Sequence, residues 1–152
     1  MALYFEDFAA GQEFRSQERT VTEADIVQFA DLTGDHTSLH LDEAVAARSP
    51  FGQRIAHGAL IFSLSIGLKV QTVDTNESII AFYGLDKLRF TAPTFIGDSI
   101  HVEKKVLAVE PKDDARGVIT QETKVVNQRG QVVQVYVDKV MLKRRSAAVP
   151  GA

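Results

Sequence analysis

From Gly58 to about Val73 the chain is apolar on every side that a helix presents: Ala59, Leu60, Ile61, Phe62, Leu64, Ile66, Leu68 and Val70. A helix of that kind is predicted to be buried. Its apolar run stops at Lys69, well short of the ~20 residues a bilayer crossing needs. Something must therefore wrap it. The pattern that follows is made of strands, predicted over 78–91, 99–110, 117–127 and 131–143. The last is the clearest, with Val133, Val135 and Val137 alternating with Gln134, Tyr136 and Asp138. Asn127-Gln-Arg-Gly130 reads as the hairpin turn before it. These elements predict an α+β fold, a long central helix wrapped by a curved antiparallel β-sheet.

Ahead of the helix, residues 14–21 predict a rather polar strand. Thr22 is a good N-cap, and Asp25 three residues on completes a variant of the capping box. The helix it opens runs to about Thr33, with Ile26, Phe29, Ala30 and Thr33 on one side, and Gly34 ends it. Residues 35–56 read as a long polar loop with at most one short helix, near 42–48. A loop of that length in a compact domain is usually either functional or disordered. The 152 residues fit a single domain over 1–145, with 146–152 expected to be a flexible tail.

The absence of cysteine excludes thiol catalysis, Cys-zinc sites and disulfide scaffolds. With 17 Lys+Arg against 20 Asp+Glu, the net charge of −3 argues against non-specific nucleic-acid binding. The stretch from Met1 to Phe8 has neither the basic region nor the apolar run of a signal peptide. A cytoplasmic protein with no nucleic-acid or membrane partner is the expectation.

Titratable residues concentrate in Gly34-Asp-His-Thr-Ser-Leu-His-Leu-Asp42. On an irregular segment, Asp35 and His40 can converge on one water and supply a general base and a general acid. The alternative is that Asp35 starts a turn and His40 packs in the loop. A metal site of Asp35, His36, His40 and Asp42 lacks the Glu of the helical zinc motif, and Gly34 and Pro50 break any continuous helix, so no metal is expected. The second site is Ile55-Ala-His-Gly58. The first N–H groups of a helix have no intrahelical partner and sit at its positive end. At Gly58 such an N–H can polarise a carbonyl with no side chain in the way; alternatively the glycine only lets the helix pack closely. Ser63 and Ser65 lie inside the helix and read as packing residues bonded back to its backbone.

The same residues carry a family resemblance. Phe29-Ala-Asp-Leu-Thr-Gly-Asp-His-Thr-Ser-Leu-His40, then Ile55-Ala-His-Gly58, then Arg89-Phe-Thr-Ala-Pro-Thr-Phe-Ile-Gly-Asp98 together resemble a MaoC-like (R)-specific enoyl-CoA hydratase, over roughly residues 4–143. The resemblance implies a hot-dog fold, working as a homodimer or a larger assembly of dimers. Its substrate would be an acyl-CoA or acyl-carrier-protein thioester, with no separate cofactor. Asp35 and His40 match the family's catalytic pair, and Gly58 matches the glycine whose N–H binds the thioester oxygen. Tyr83 and Phe90 become candidates to line the acyl tunnel, although both also suit the core of the wrapping sheet. Lys69, Lys87, Arg89 and Arg54 are candidate cations for the CoA phosphates. Two departures stand out: the family's Asn-Pro is Thr37-Ser38 here, and a serine of the central helix is Ile66.

Two other readings share this fold. Hot-dog thioesterases commonly place a catalytic carboxylate on the central helix, but from Gly58 to Val73 there is none, the first being Asp74. A non-catalytic acyl-CoA or lipid-binding module has no obvious use for the Asp35/His40 pair.

Overall fold

The computed structural model describes residues 1–145. The expected tail at 146–152 lies outside the described residues. Six strands form one antiparallel sheet: β1 (Glu13–Arg15), β2 (Arg19–Thr20), β3 (Ile79–Phe90), β4 (Ser99–Pro111), β5 (Arg116–Asn127) and β6 (Val132–Lys143). They lie in the order β1-β4-β5-β6-β3, with β2 also on β4. The helices are α1 (Glu23–Thr33), α2 (Ser38–Leu41), α3 (Glu43–Ala47) and α4 (Gly58–Val70).

Most predicted elements form where their local chemistry placed them. Thr22 accepts the Asp25 N–H, and the Asp25 carboxylate accepts the Thr22 N–H in return, which closes the capping box of α1. Gly34, at φ 81°, ends that helix in the left-handed conformation. The β5–β6 hairpin turns on Gly130, at φ 74°, whose N–H donates to Asn127 O over 3.0 Å.

Four local expectations need correction. The strand foreseen over 14–21 is two pieces, because Ser16 breaks the ladder. Its hydroxyl, in place of a carbonyl, accepts the Val102 N–H at 2.8 Å. Residues 35–56 contain two short helices rather than one, α2 being an extra turn. The central helix stops at Val70, where the Thr72 hydroxyl takes the Lys69 carbonyl at 2.7 Å.

The fourth correction concerns the wrapping. Leu60, Ile61, Ser65, Leu68 and Lys69 of α4 are buried and pack with Ile100, Val102, Val125, Val133 and Tyr136 of the sheet. Ala59, Ser63, Gly67 and Val70 face away and are exposed. A single chain thus covers one side of the helix only. The last strand, β3, pairs with β6 alone and leaves Ile79, Ile80, Phe82, Tyr83, Leu85 and Phe90 exposed. Three register shifts against β6 explain why its burial follows no strict alternation.

Candidate active site

The left-handed turn at Gly34 delivers the chain directly into Asp35. Its carboxylate accepts the Thr37 hydroxyl at 2.6 Å and the Thr37 N–H at 3.2 Å. These two bonds, the hydroxyl first, hold the Asp35 carboxyl below the usual aspartate range. Thr37, standing where the family has Asn, therefore anchors the carboxylate directly.

His40 lies on α2. Its Nδ1 is 2.7 Å from Ile55 O, and a carbonyl only accepts, so Nδ1 carries the proton. In the neutral ring Nε2 is then the free, basic nitrogen. His57 N-caps α4, and its Nε2–H donates to the Asp35 carbonyl at 3.0 Å. The two imidazoles stack, with centroids 3.9 Å apart and 27° between their planes, and Phe29 meets His57 edge-on at 5.0 Å. Burial pushes the His57 imidazole below its usual value. It is a neutral wall that ties Asp35 and His40 to the start of α4. No role for His57 followed from the sequence; the only signal was its place beside Gly58.

Arg54 binds this corner together. Its Nε donates to His40 O at 2.7 Å and its Nη1 to Glu23 Oε1 at 2.9 Å. It is buried and serves as a knot, not as a phosphate-binding cation. Lys69 is likewise buried in an ion pair with Asp138. Lys87 and Arg89 remain exposed on β3.

Gly58 is the first residue of α4, and Gln134 fixes it by donating to Gly58 O at 2.7 Å. The Phe90 ring packs so close that a Cβ on Gly58 would meet it at 2.8 Å. Both residues line a cleft of about 310 Å³ with Phe51, Ile55, Ile61 and Pro93. Phe90 thus reaches the helix start. Tyr83 does not: it precedes Phe90 by seven strand residues, roughly 20 Å along β3, and is 52% exposed.

One ligand atom each of Asp35, His40 and His57 lies within 4.8 Å of the others. Stacked imidazoles aim their in-plane lone pairs alongside one another rather than at one point, a poor fit to tetrahedral coordination. His36 bonds to Asp31 and Gly34 O, and Asp42 caps α3, so neither completes a metal shell. The cluster suits acid–base work: an anchored carboxylate, a free imidazole nitrogen and a helix-start N–H.

A MaoC-like domain model matches residues 7–131. The chain belongs to the MaoC-like family. It is 35% identical to the (R)-specific enoyl-CoA hydratase of Aeromonas caviae, over 79% of this chain and 84% of that protein. It is 44% identical to Protein MaoC of Klebsiella aerogenes over 65% of this chain, but spans only 29% of that protein's length. A Mycobacterium tuberculosis protein described as a double hot-dog fold superposes with a TM-score of 0.83 at 21% identity, covering 99% of this chain and 47% of that one. The fold is a hot-dog, α+β as the sequence predicted. Relatives named hydratase and dehydratase place the chain in a hydratase/dehydratase family. Among the described residues, no helix is long and apolar enough to cross a membrane.

Proposed function

We propose that this protein adds water to trans-2-enoyl thioesters to give (R)-3-hydroxyacyl thioesters, and runs the reverse dehydration. The observation that carries the reading is the convergence of Asp35, His40 and the start of α4 at one corner. The Gly58 N–H, with the helix dipole behind it, donates to the thioester oxygen and stabilises the enolate charge that builds there. Asp35 and His40 hold a water between them. As its oxygen bonds to Cβ, the pair takes one proton from it and returns a proton to Cα, so nothing is gained or lost beyond the water. The relative named (R)-specific enoyl-CoA hydratase supports the (R) outcome. The thioester carrier is CoA or an acyl carrier protein, and no other cofactor takes part.

The working form in this reading is a homodimer or an assembly of dimers in the cytoplasm. The open edge of β3, with its exposed Ile80, and the uncovered side of α4 support the pairing. Purified protein mixed with crotonyl-CoA should consume the enoyl absorbance and yield (R)-3-hydroxybutyryl-CoA. Release of free CoA without hydration would replace the proposal with a thioesterase. Neither reaction on enoyl thioesters of several chain lengths would leave a binding module.

A further inference from the structure

A second cavity, at the far end of α4, holds charges that hydration does not use. It measures about 170 Å³, and its walls include Ile66, Lys69, Val70, Phe82, Lys104 and Val140. From Gly58 to Lys69 the helix rises about 16 Å, so this space is separate from the cleft beside Gly58.

Two lysines line it, Lys69 from α4 and Lys104 from β4. Lys69 Nζ donates to Asp138 Oδ2 at 2.7 Å. Asp138 is fully buried and also accepts Gln121 Nε2 at 2.9 Å and the Thr123 hydroxyl at 3.0 Å. Its oxygens are therefore engaged. Lys104 is 5% exposed and makes no ion pair among the described residues. Its Nζ sits 4.8 Å from the centre of the Phe14 ring. Burial, and then the charge of Lys69, push the Lys104 ammonium down to about 8, so it still carries its proton at neutral pH. Two cations thus line the cavity, and the one carboxylate beside them, Asp138, is bound to Lys69. An uncompensated buried charge is costly, and the other walls are mostly apolar.

We propose that this cavity binds the carboxylate of an aliphatic acid, with the anion on Lys104 and the chain against Ile66, Val70, Phe82 and Val140. A single excess positive charge suits a monoanion rather than a phosphate dianion. An apolar cavity of about 150 Å³ takes a benzene-sized guest, so the chain that enters has about six carbons. The carboxylate belongs either to a free acid or to the far end of a carboxylated acyl thioester. The second source rests on the hydration reading.

Hexanoate and hexan-1-ol titrated calorimetrically into the whole protein test the site without any activity. Hexanoate should bind the native protein at least tenfold more tightly than Lys104→Met, and hexanol should not distinguish them. If the methionine variant does not fold, Lys104→Gln takes its place. In a second arm, kcat/KM is measured for trans-2-dodecenedioyl-CoA and trans-2-dodecenoyl-CoA, chains long enough to span the helix. A ratio that falls at least tenfold in the variant assigns the carboxylate to the acyl chain. Hexanoate binding that depends on Lys104, with an unchanged ratio, assigns it to a free acid. If no enoyl-CoA is hydrated, the hexanoate arm decides alone. Hexanoate binding that ignores Lys104, or fails altogether, together with an unchanged ratio overturns the proposal.

Discussion

Lys104→Met should make the protein more stable at pH 7, although it removes a charged side chain from the core. In the native structure burial lowers the Lys104 ammonium from 10.5 to about 8. At 1.36 kcal/mol per pH unit, keeping it protonated inside costs about 3 kcal/mol relative to water. Its stacking over Phe14 returns about 0.5–2 kcal/mol of that. Methionine matches the length of the stem and needs no partner, so the expected gain is about 1–3 kcal/mol. The sign of the pH dependence follows from the same displacement. Between about pH 8 and 10.5 the unfolded chain binds a proton that the folded chain has lost, so native stability rises with pH there. The variant lacks that contribution, and its advantage should shrink as pH climbs from 7 to 9.5. Urea denaturation at both pH values, at one protein concentration so that subunit association is held constant, measures the difference. A variant destabilised by more than 1 kcal/mol at pH 7, or an advantage that does not change with pH, would refute the reasoning.

Three further outcomes are expected. Gly58→Pro should keep α4, because proline suits the first helical position and His57, at φ −56° and ψ 132°, already has the backbone proline requires before it. It removes the N–H, so its kcat should fall a further ~10²–10³-fold below that of Gly58→Ala, which controls for the push on Phe90. Thr37→Val removes the strongest bond to the Asp35 carboxylate. Its carboxyl should therefore titrate higher, moving the acid limb of the kcat/KM profile to higher pH, with a loss of about tenfold at the acid end. Ile80→Lys on the open edge of β3 should halve the mass seen by light scattering and abolish hydration.

Local chemistry made much of this fold legible. Thr22, Asp25 and Gly34 bounded α1 by capping alone, and alternation in β6 with the Asn127–Gly130 turn gave the last hairpin. Ser63 and Ser65 bond back to Ala59 O and Phe62 O, as serines within a helix tend to do. Contacts distant in sequence were not legible. Lys69 meets Asp138 across 69 residues, so a cation at a helix end gave no sign of being buried. Arg54 looked like a surface charge because its partners, His40 O and Glu23, converge only after α1 and α2 have packed. The apolar pattern of α4 called for burial on all sides but could not say how much of it one chain supplies. Within the site, Asp35 and His40 were readable as a spacing. The imidazole stack with His57 was not, because it depends on how the loop folds back onto the helix start.

The central claim is that Asp35 and His40 act as one acid–base pair. The most direct test is crotonyl-CoA hydration by Asp35→Asn and His40→Gln, with melting temperature and oligomeric mass checked against the native protein. Each replacement keeps the size of its side chain and removes its acid–base function. Each variant should retain its fold and lose ~10²–10⁴-fold in kcat, and the double variant should lose little more than either alone. Folded variants that hydrate crotonyl-CoA at the native rate would contradict the account.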